Sequence, residues 1–532
     1  MTSATGNQRG QWKGLSRAIL FPLILILALS SCEDRSSQPE STPTRSSTLT
    51  LLHPPEAYEF FQAVVAKFNS LNRATTSGAI IRLSSSSFDD LDGVGRIGTP
   101  QAPASLWIAP SSTQAAVAKS LNAASFTSSD CASVMSTRLG VAYRSIDRFA
   151  ISSSDDSIAP SELFAPTPKP PAPPLSFIMG LPRYTSSGNA FLTLAAGYSI
   201  GTPLAGLTRE KVEGAVTLLR NSQSRTRSYY LSVASALSWL DGREGGSPVA
   251  VGTTEQSFTA YQRSLGGGSK LLWLPISTTA PLLDFPLCSI DASDGDAELR
   301  EAQRIARGFF VGDDFKALLA EHGFDVPPPT SDPLPESVAS GVTALQERWG
   351  VIRPPSLTLF VVDASIKTDR AAIETIRREL RNFIEAKSSD NDKVGIIAAS
   401  TKIEVVSELG KSKESLQLAV NKLTTSGSNT IRDGILLGLR LLGGLDNEGY
   451  RRSVVVLTSG DQTTRHHDQE LENVAAQLIG MKNVQLYVLG FANAESELDD
   501  LARLTRQLGG HFILTNTAAA PASFFPISRE IQ

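Results

Sequence analysis

The chain has 532 residues, too many for one hydrophobic core and enough for two or three domains. Its 49 lysines and arginines are nearly balanced by 53 acidic residues, leaving a net charge of −4. Nothing in that balance supplies a basic stripe, so nucleic acid is excluded as a partner.

The N-terminus carries Arg9, Lys13 and Arg17, followed by an unbroken apolar run over residues 18–29. That run is shorter than the ~20 residues a membrane-spanning helix needs and ends in small residues, so residues 1–31 read as a cleavable secretory signal. Leu29-Ser30-Ser31-Cys32 resembles the lipobox of bacterial lipoproteins. The resemblance implies cleavage before Cys32, a diacylglycerol on its thiol and an acylated amine. Each buried CH₂ then adds ~0.8 kcal/mol to attachment. The competing reading is an ordinary signal peptide with a chance cysteine. The expected location is a cell membrane, lipid-anchored on its extracytoplasmic face. Residues 32–46, rich in Ser, Pro, Thr and charge, predict a disordered tether. Once Cys32 is lipidated, Cys131 and Cys288 remain, either as a disulfide or as two buried thiols.

Residues 47–326 alternate strand-like apolar runs with helical periodicity. Residues 49–52 read as a strand, and Phe60, Phe61, Val64, Val65 and Phe68 form one apolar helix face. Further strands are expected at 80–83, 104–108, 140–143, 249–252 and 271–275, which gives an α/β domain with largely parallel sheets. Six prolines at 166–174 mark an extended surface connection. Prolines at 327–335 and at Pro354-Pro355 mark a linker over 327–355 that includes a helix.

Pro54-Pro55-Glu56, Phe68-Asn69, the run from Leu106 to Ser112, the run from Pro182 to Gly188, Thr254-Glu255-Gln256 and Gly323-Phe324 carry a resemblance. In their order this segment resembles the extracytoplasmic solute-binding proteins of bacterial transport systems, in particular lipoproteins in which such a domain precedes a von Willebrand factor A domain. The resemblance implies a two-lobed, periplasmic-binding-protein-like domain with crossover strands and a ligand in the cleft. Cys131 and Cys288 would then lie on hinge strands, where a bridge would staple the hinge. Thr185, Ser186 and Ser187 precede a helix-forming run, a place where hydroxyls and free N–H groups either hold an anion or simply cap the helix. Ser84, Ser85 and Ser86 follow a strand and are candidates for the facing lobe, or else loop residues. Glu255 either faces the cleft or is an exposed carboxylate.

Residues 356–518 read as a second α/β unit. A continuous apolar strand ends at Asp363, and further strands at 394–399, 454–457, 484–489 and 512–514 alternate with helices, as in a doubly wound, Rossmann-like parallel sheet. Asp363-Ala364-Ser365, the strand from Val394 to Ser400, Asp433-Gly434-Ile435 and the strand from Val454 to Thr458 resemble the von Willebrand factor A family. That family holds a divalent cation on an Asp-x-Ser-x-Ser motif, a Thr before the middle helix and an Asp after the fourth strand. Asp363 and Ser365 match, but Lys367 stands in the third position and Ser459 replaces the later Asp. The Thr position falls on Asn429, or on Thr430 if the loop is one residue shorter. One carboxylate fewer and one ammonium more imply weak Mg²⁺ binding or none. Lys367 either pairs with Asp363 in the cation's place or points into solvent, and Asp461 is a conceivable replacement ligand. His466-His467 lacks further ligands at metal spacing and reads as a polar pair. Residues 519–532 are expected to be a C-terminal tail.

No nucleophile elbow, phosphate-binding loop or zinc-protease helix is visible, so no enzyme is expected. The sequence points to a membrane-anchored binding protein that takes a small solute in the first domain and a protein partner on the second. The alternatives are a receptor for an ABC transporter with an accessory dock, and a structural adhesin without ligand.

Overall fold

A computed structural model describes residues 45–531 apart from 89–90, 123–125, 127–130, 152–155, 166–174, 244–247, 278–282, 291–295, 328–335, 367, 388, 446–448, 461–467, 482–483, 493–497 and 509. The signal, Cys32, most of the tether, the prolines of 166–174, Lys367, Asp461 and His466-His467 lie outside the described residues. Among the described residues no helix is long and apolar enough to cross a membrane.

In chain order the first strands are β1 (Ser46–His53), β2 (Ile80–Ser87), β3 (Leu106–Ile108), β4 (Ala132–Ser133), β5 (Leu139–Arg144), β6 (Ser176–Gly180), β7 (Thr226–Tyr230), β8 (Val249–Thr254), β9 (Leu271–Pro275) and β10 (Pro286–Ser289). They sort into two sheets, ordered β2-β1-β3-β10-β4 and β7-β6-β8-β5-β9. Each sheet is the centre of one lobe. The chain passes between lobes after β4 and again after β9, and the crossovers lie side by side: Thr137 N donates to Leu283 O at 3.0 Å. Cys131 and Cys288 are joined as a disulfide beside β4 and β10. The expectation of largely parallel sheets holds for β1 with β2 and β3 and for β6 with β7 and β8. It fails at β10 and β5, which run antiparallel to their neighbours. Both are the strands that follow a crossover, so each enters its sheet from the hinge side.

Apolar periodicity explains the helices that cover these sheets. Helix Tyr58–Ser70 buries Phe60, Phe61, Val64 and Phe68. Helix Ser186–Ile200 is buried nearly all round, as a helix central to its lobe must be.

The stretch expected to link the domains belongs to the first of them. Helix Glu336–Glu347 buries Val338, Ala339, Val342, Ala344 and Leu345 in the first domain's core. It packs on helix Ser112–Leu121 of the first lobe and on helix Arg209–Gly214 of the second. Gly341 makes the close approach possible, since a Cβ there would lie 2.8 Å from Leu207 O. The linker expectation is corrected for a plain reason: this helix has an apolar face, and a linker would leave it in water. Trp349 then stands edge-on to Tyr229, and the buried Arg353 Nη1 donates to Asp392 Oδ1 at 3.0 Å.

The second domain is a sheet of β11 (Ser356–Asp363), β12 (Lys393–Ala399), β13 (Ile403–Ser407), β14 (Arg451–Thr458), β15 (Val484–Phe491) and β16 (His511–Thr515). Its order is β13-β12-β11-β14-β15-β16 and all pairings are parallel except that of β13 with β12. Fully buried β11 has apolar clusters on both faces. The expected tail is a helix, Ala520–Ile531, which buries Phe524, Ile527 and Ile531. Arg451 donates to Glu530 O and Ile531 O, and Leu231 N of the second lobe donates to the Glu530 carboxylate at 3.1 Å. The C-terminal helix thus joins the second domain to the first.

Candidate functional site

Two places collect the polar groups on which function can rest. In the first domain, β6 ends at Gly180 and the chain turns into helix Ser186–Ile200. A Cβ on Gly188 would lie 2.1 Å from Gly180 O, so the turn needs a residue without a side chain. Thr185 is the N-cap and its hydroxyl accepts from Gly188 N at 3.1 Å. Ser186 and Ser187 do something else. Ser186 Oγ donates to Glu56 Oε2 at 2.7 Å, and Ser187 N and Oγ donate to Glu56 Oε1 at 3.3 and 3.4 Å. Glu56 sits on the turn Pro55–Ala57 of the opposite lobe. A carboxylate from the first lobe therefore occupies the helix N-terminus of the second, where N–H groups and the helix dipole favour negative charge.

Two further bonds cross the cleft. Gln114 Nε2 donates to Asn189 Oδ1 at 2.9 Å, and Leu91 N to Arg183 O at 3.0 Å. Desolvation raises the pKa of the Glu56 carboxyl, and the Ser186 and Ser187 donors offset part of that rise.

Capping and binding are thus divided between neighbours: Thr185 caps, while Ser186 and Ser187 grip a carboxylate that belongs to the chain itself. Ser84, Ser85 and Ser86 are not in a loop. They extend edge strand β2, which pairs with β1 along its whole length, and Ser84 Oγ donates to Leu49 O while Ser85 Oγ accepts from Gln62 Nε2. Glu255 is paired within the chain. Its carboxylate accepts both Arg138 Nε and Nη2, at 2.7 and 2.6 Å, beside the crossover. Sequence reasoning missed Glu56 as a site residue although it lay in a quoted motif; an acidic residue entering a helix is too common to single out.

The second place is the crevice at the strand ends of β11 and β14, where the order of a doubly wound sheet reverses. Asp363 is fully buried there. Its Oδ1 accepts from Ser365 N at 3.0 Å; its Oδ2 accepts from Asn429 Nδ2 and Thr458 Oγ1, both at 2.8 Å, and from Ser459 N at 3.3 Å. Asn429 Oδ1 accepts from Ile431 N at 2.9 Å, which fixes the amide with its NH₂ toward Asp363. The second amide hydrogen goes to Gly460 O. Asn429 is thus the residue at the Thr position, while Thr430 Oγ1 turns away to Ser400 O.

These residues do not fit a divalent cation. A hard cation needs several oxygen donors, and here an amide N–H, a hydroxyl and two backbone N–H groups already point at the one carboxylate. Among the described residues no cluster of three or more His, Cys, Asp or Glu side chains offers a metal site. Ser365 Oγ, buried, has no partner among them.

Residues 359–520 match the von Willebrand factor type A domain family and form such a domain. No curated protein sequence matches the chain. Among solved structures, a von Willebrand factor type A protein from Catenulispora acidiphila is 15% identical over 33% of this chain and 42% of its own, with a TM-score of 0.29. The chain therefore spans less than half of that protein. The periplasmic binding protein P5PA is 12% identical over 58% of this chain and all of its own, at a TM-score of 0.41. Iron-bound HitA from Pseudomonas aeruginosa is 14% identical over 57% of this chain and 98% of its own, at 0.40.

Proposed function

We propose that this chain is a membrane-anchored, extracytoplasmic binding protein rather than an enzyme. Its first domain takes a small solute or peptide-like group bearing a carboxylate, and its von Willebrand A domain docks a protein partner without a metal. The observation that carries the reading is the grip of Ser186 and Ser187 on the Glu56 carboxylate. A site built for a carboxylate already holds one, so an incoming ligand must displace it. Displacement would release the first lobe from the second. Helix Glu336–Glu347, which touches both lobes, would carry that change toward Arg353 and the second domain.

The test is calorimetry of the mature chain and its Glu56→Ala variant against a panel of amino acids, dicarboxylates and short peptides. Tighter binding of one ligand class by the variant supports the reading, because the internal competitor has gone. If neither protein binds any carboxylate, the cleft is a sealed joint. The adhesin reading would then stand, and the same Glu56 contact favours it as a permanent internal ligand. Anchoring is tested separately: Cys32→Ala should move the chain from the membrane fraction to the soluble extract.

A further inference from the structure

A second polar site lies away from the cleft, where the second lobe meets the von Willebrand A domain. Strand β7 is the edge of its sheet and carries Arg227, whose side chain faces the ends of β15 and β16. Arg227 is 6% exposed. Its guanidinium lies over the Trp239 ring at 5.3 Å, and that ring stacks on His511, which stacks in turn on Tyr487. Nη2 donates to Ile479 O at 2.9 Å. Nε and Nη1 are buried without a partner among the described residues. Beside them is a cavity of about 50 Å³, bounded also by Tyr487, His511 and Glu530.

A buried guanidinium with two unmet donors calls for a counterion, since a lone charge taken out of water loses its hydration and gains no partner in return. Among the described residues no acidic group fills that role. Arg243, over the same indole at 5.4 Å, adds like charge. The Glu530 carboxylate accepts instead from Leu231 N and Tyr487 Oη. Burial and the like charge of Arg243 hold the Arg227 pKa down to about 9.

We propose that this cavity binds a small monovalent inorganic anion of halide size, held by Nε and Nη1 of Arg227, which joins the second lobe to the von Willebrand A domain. A water-sized site needs only ~10–15 Å³ of such volume, so the space admits one ion with a water and excludes an organic acid of sugar size. The inference is independent of the cleft.

Two measurements on the full chain test it. The first is a crystal grown in bromide, with an anomalous peak expected within hydrogen-bond reach of Arg227 Nε and Nη1. The second is thermal unfolding in bromide against gluconate at constant ionic strength. The wild-type midpoint should rise with the logarithm of bromide concentration. Arg227→Met should lose that response and Arg227→Lys should keep part of it. If Arg227→Met does not fold, the wild-type titration and the crystal decide. A cavity without a halide peak, or coincident bromide and gluconate curves, overturns the proposal.

Discussion

Removing the Glu56 side chain should open the first domain. In the structure that carboxyl receives one short hydrogen bond, from Ser186 Oγ at 2.7 Å, and two long ones, at 3.3 and 3.4 Å. At a net ~1–1.5 kcal/mol for the first and a few tenths for each of the others, Glu56→Ala should shift the open–closed equilibrium by ~2 kcal/mol. That is a change of ~30-fold in the population ratio. The sign of the pH effect follows from the raised pKa. Protonation favours the state in which the carboxyl is desolvated, so closure is fully supported below the ordinary value of 4.5 and weakens as pH rises through the raised one. Glu56→Gln, an analogue of the protonated acid, should stay closed and lose the pH dependence. Spin labels at the exposed positions Ser70 and Arg263, one per lobe, would report the distance by pulsed dipolar spectroscopy. Identical distance distributions for wild type and Glu56→Ala at pH 4 would refute the reasoning.

Three other outcomes follow from the same geometry. Asp363→Ala should cost ~3 kcal/mol in denaturant unfolding, because buried donors lose their acceptor, while Mg²⁺ and EDTA should leave the wild-type midpoint unchanged; a Mg²⁺-dependent rise would show the cation site to be intact. Glu530, raised to about 7 by burial, should make the protein lose ~1 kcal/mol between pH 6 and 8, and Glu530→Gln should flatten that slope. Gly341→Ala should weaken the packing of helix Glu336–Glu347 by ~1–3 kcal/mol, because its methyl meets the Leu207 backbone; an unchanged unfolding midpoint would mean that the helix can shift aside.

Most strands were readable because their burial leaves an uninterrupted apolar signature, as in β11, every residue of which is buried; β6 and β7 were not, β7 because its buried Thr226, Arg227 and Ser228 are polar. Strand β13 was not, since it is a short edge strand whose first four residues are only partly buried or exposed. Prolines on either side hid the role of helix Glu336–Glu347, because they mark the ends of an element and say nothing about what it packs on. At the strand-end crevice the choice between Asn429 and Thr430 turned on one residue of loop length, which no local pattern fixes; the Asn429 Oδ1 to Ile431 N bond decides it. The Glu56 contact joins residues 130 apart in the chain. Pairings of that range leave no periodic trace, and a serine pair before a helix looks the same whether it caps or binds.

The interleaving of the two lobes sets an order in time. Strands β5 to β9 are one continuous stretch, so the second lobe has all its strands as soon as Pro275 has been made. The first lobe must wait, because β10 fills the place between β3 and β4 and is synthesised roughly 150 residues after β4. At ~5–20 residues per second that is an interval of about 8–30 s. During it β3 has an unpaired edge and Cys131 has no Cys288 to bond. A factor that shields strand edges or thiols would act on the nascent chain in that interval, and its substrate would be the half that was made first.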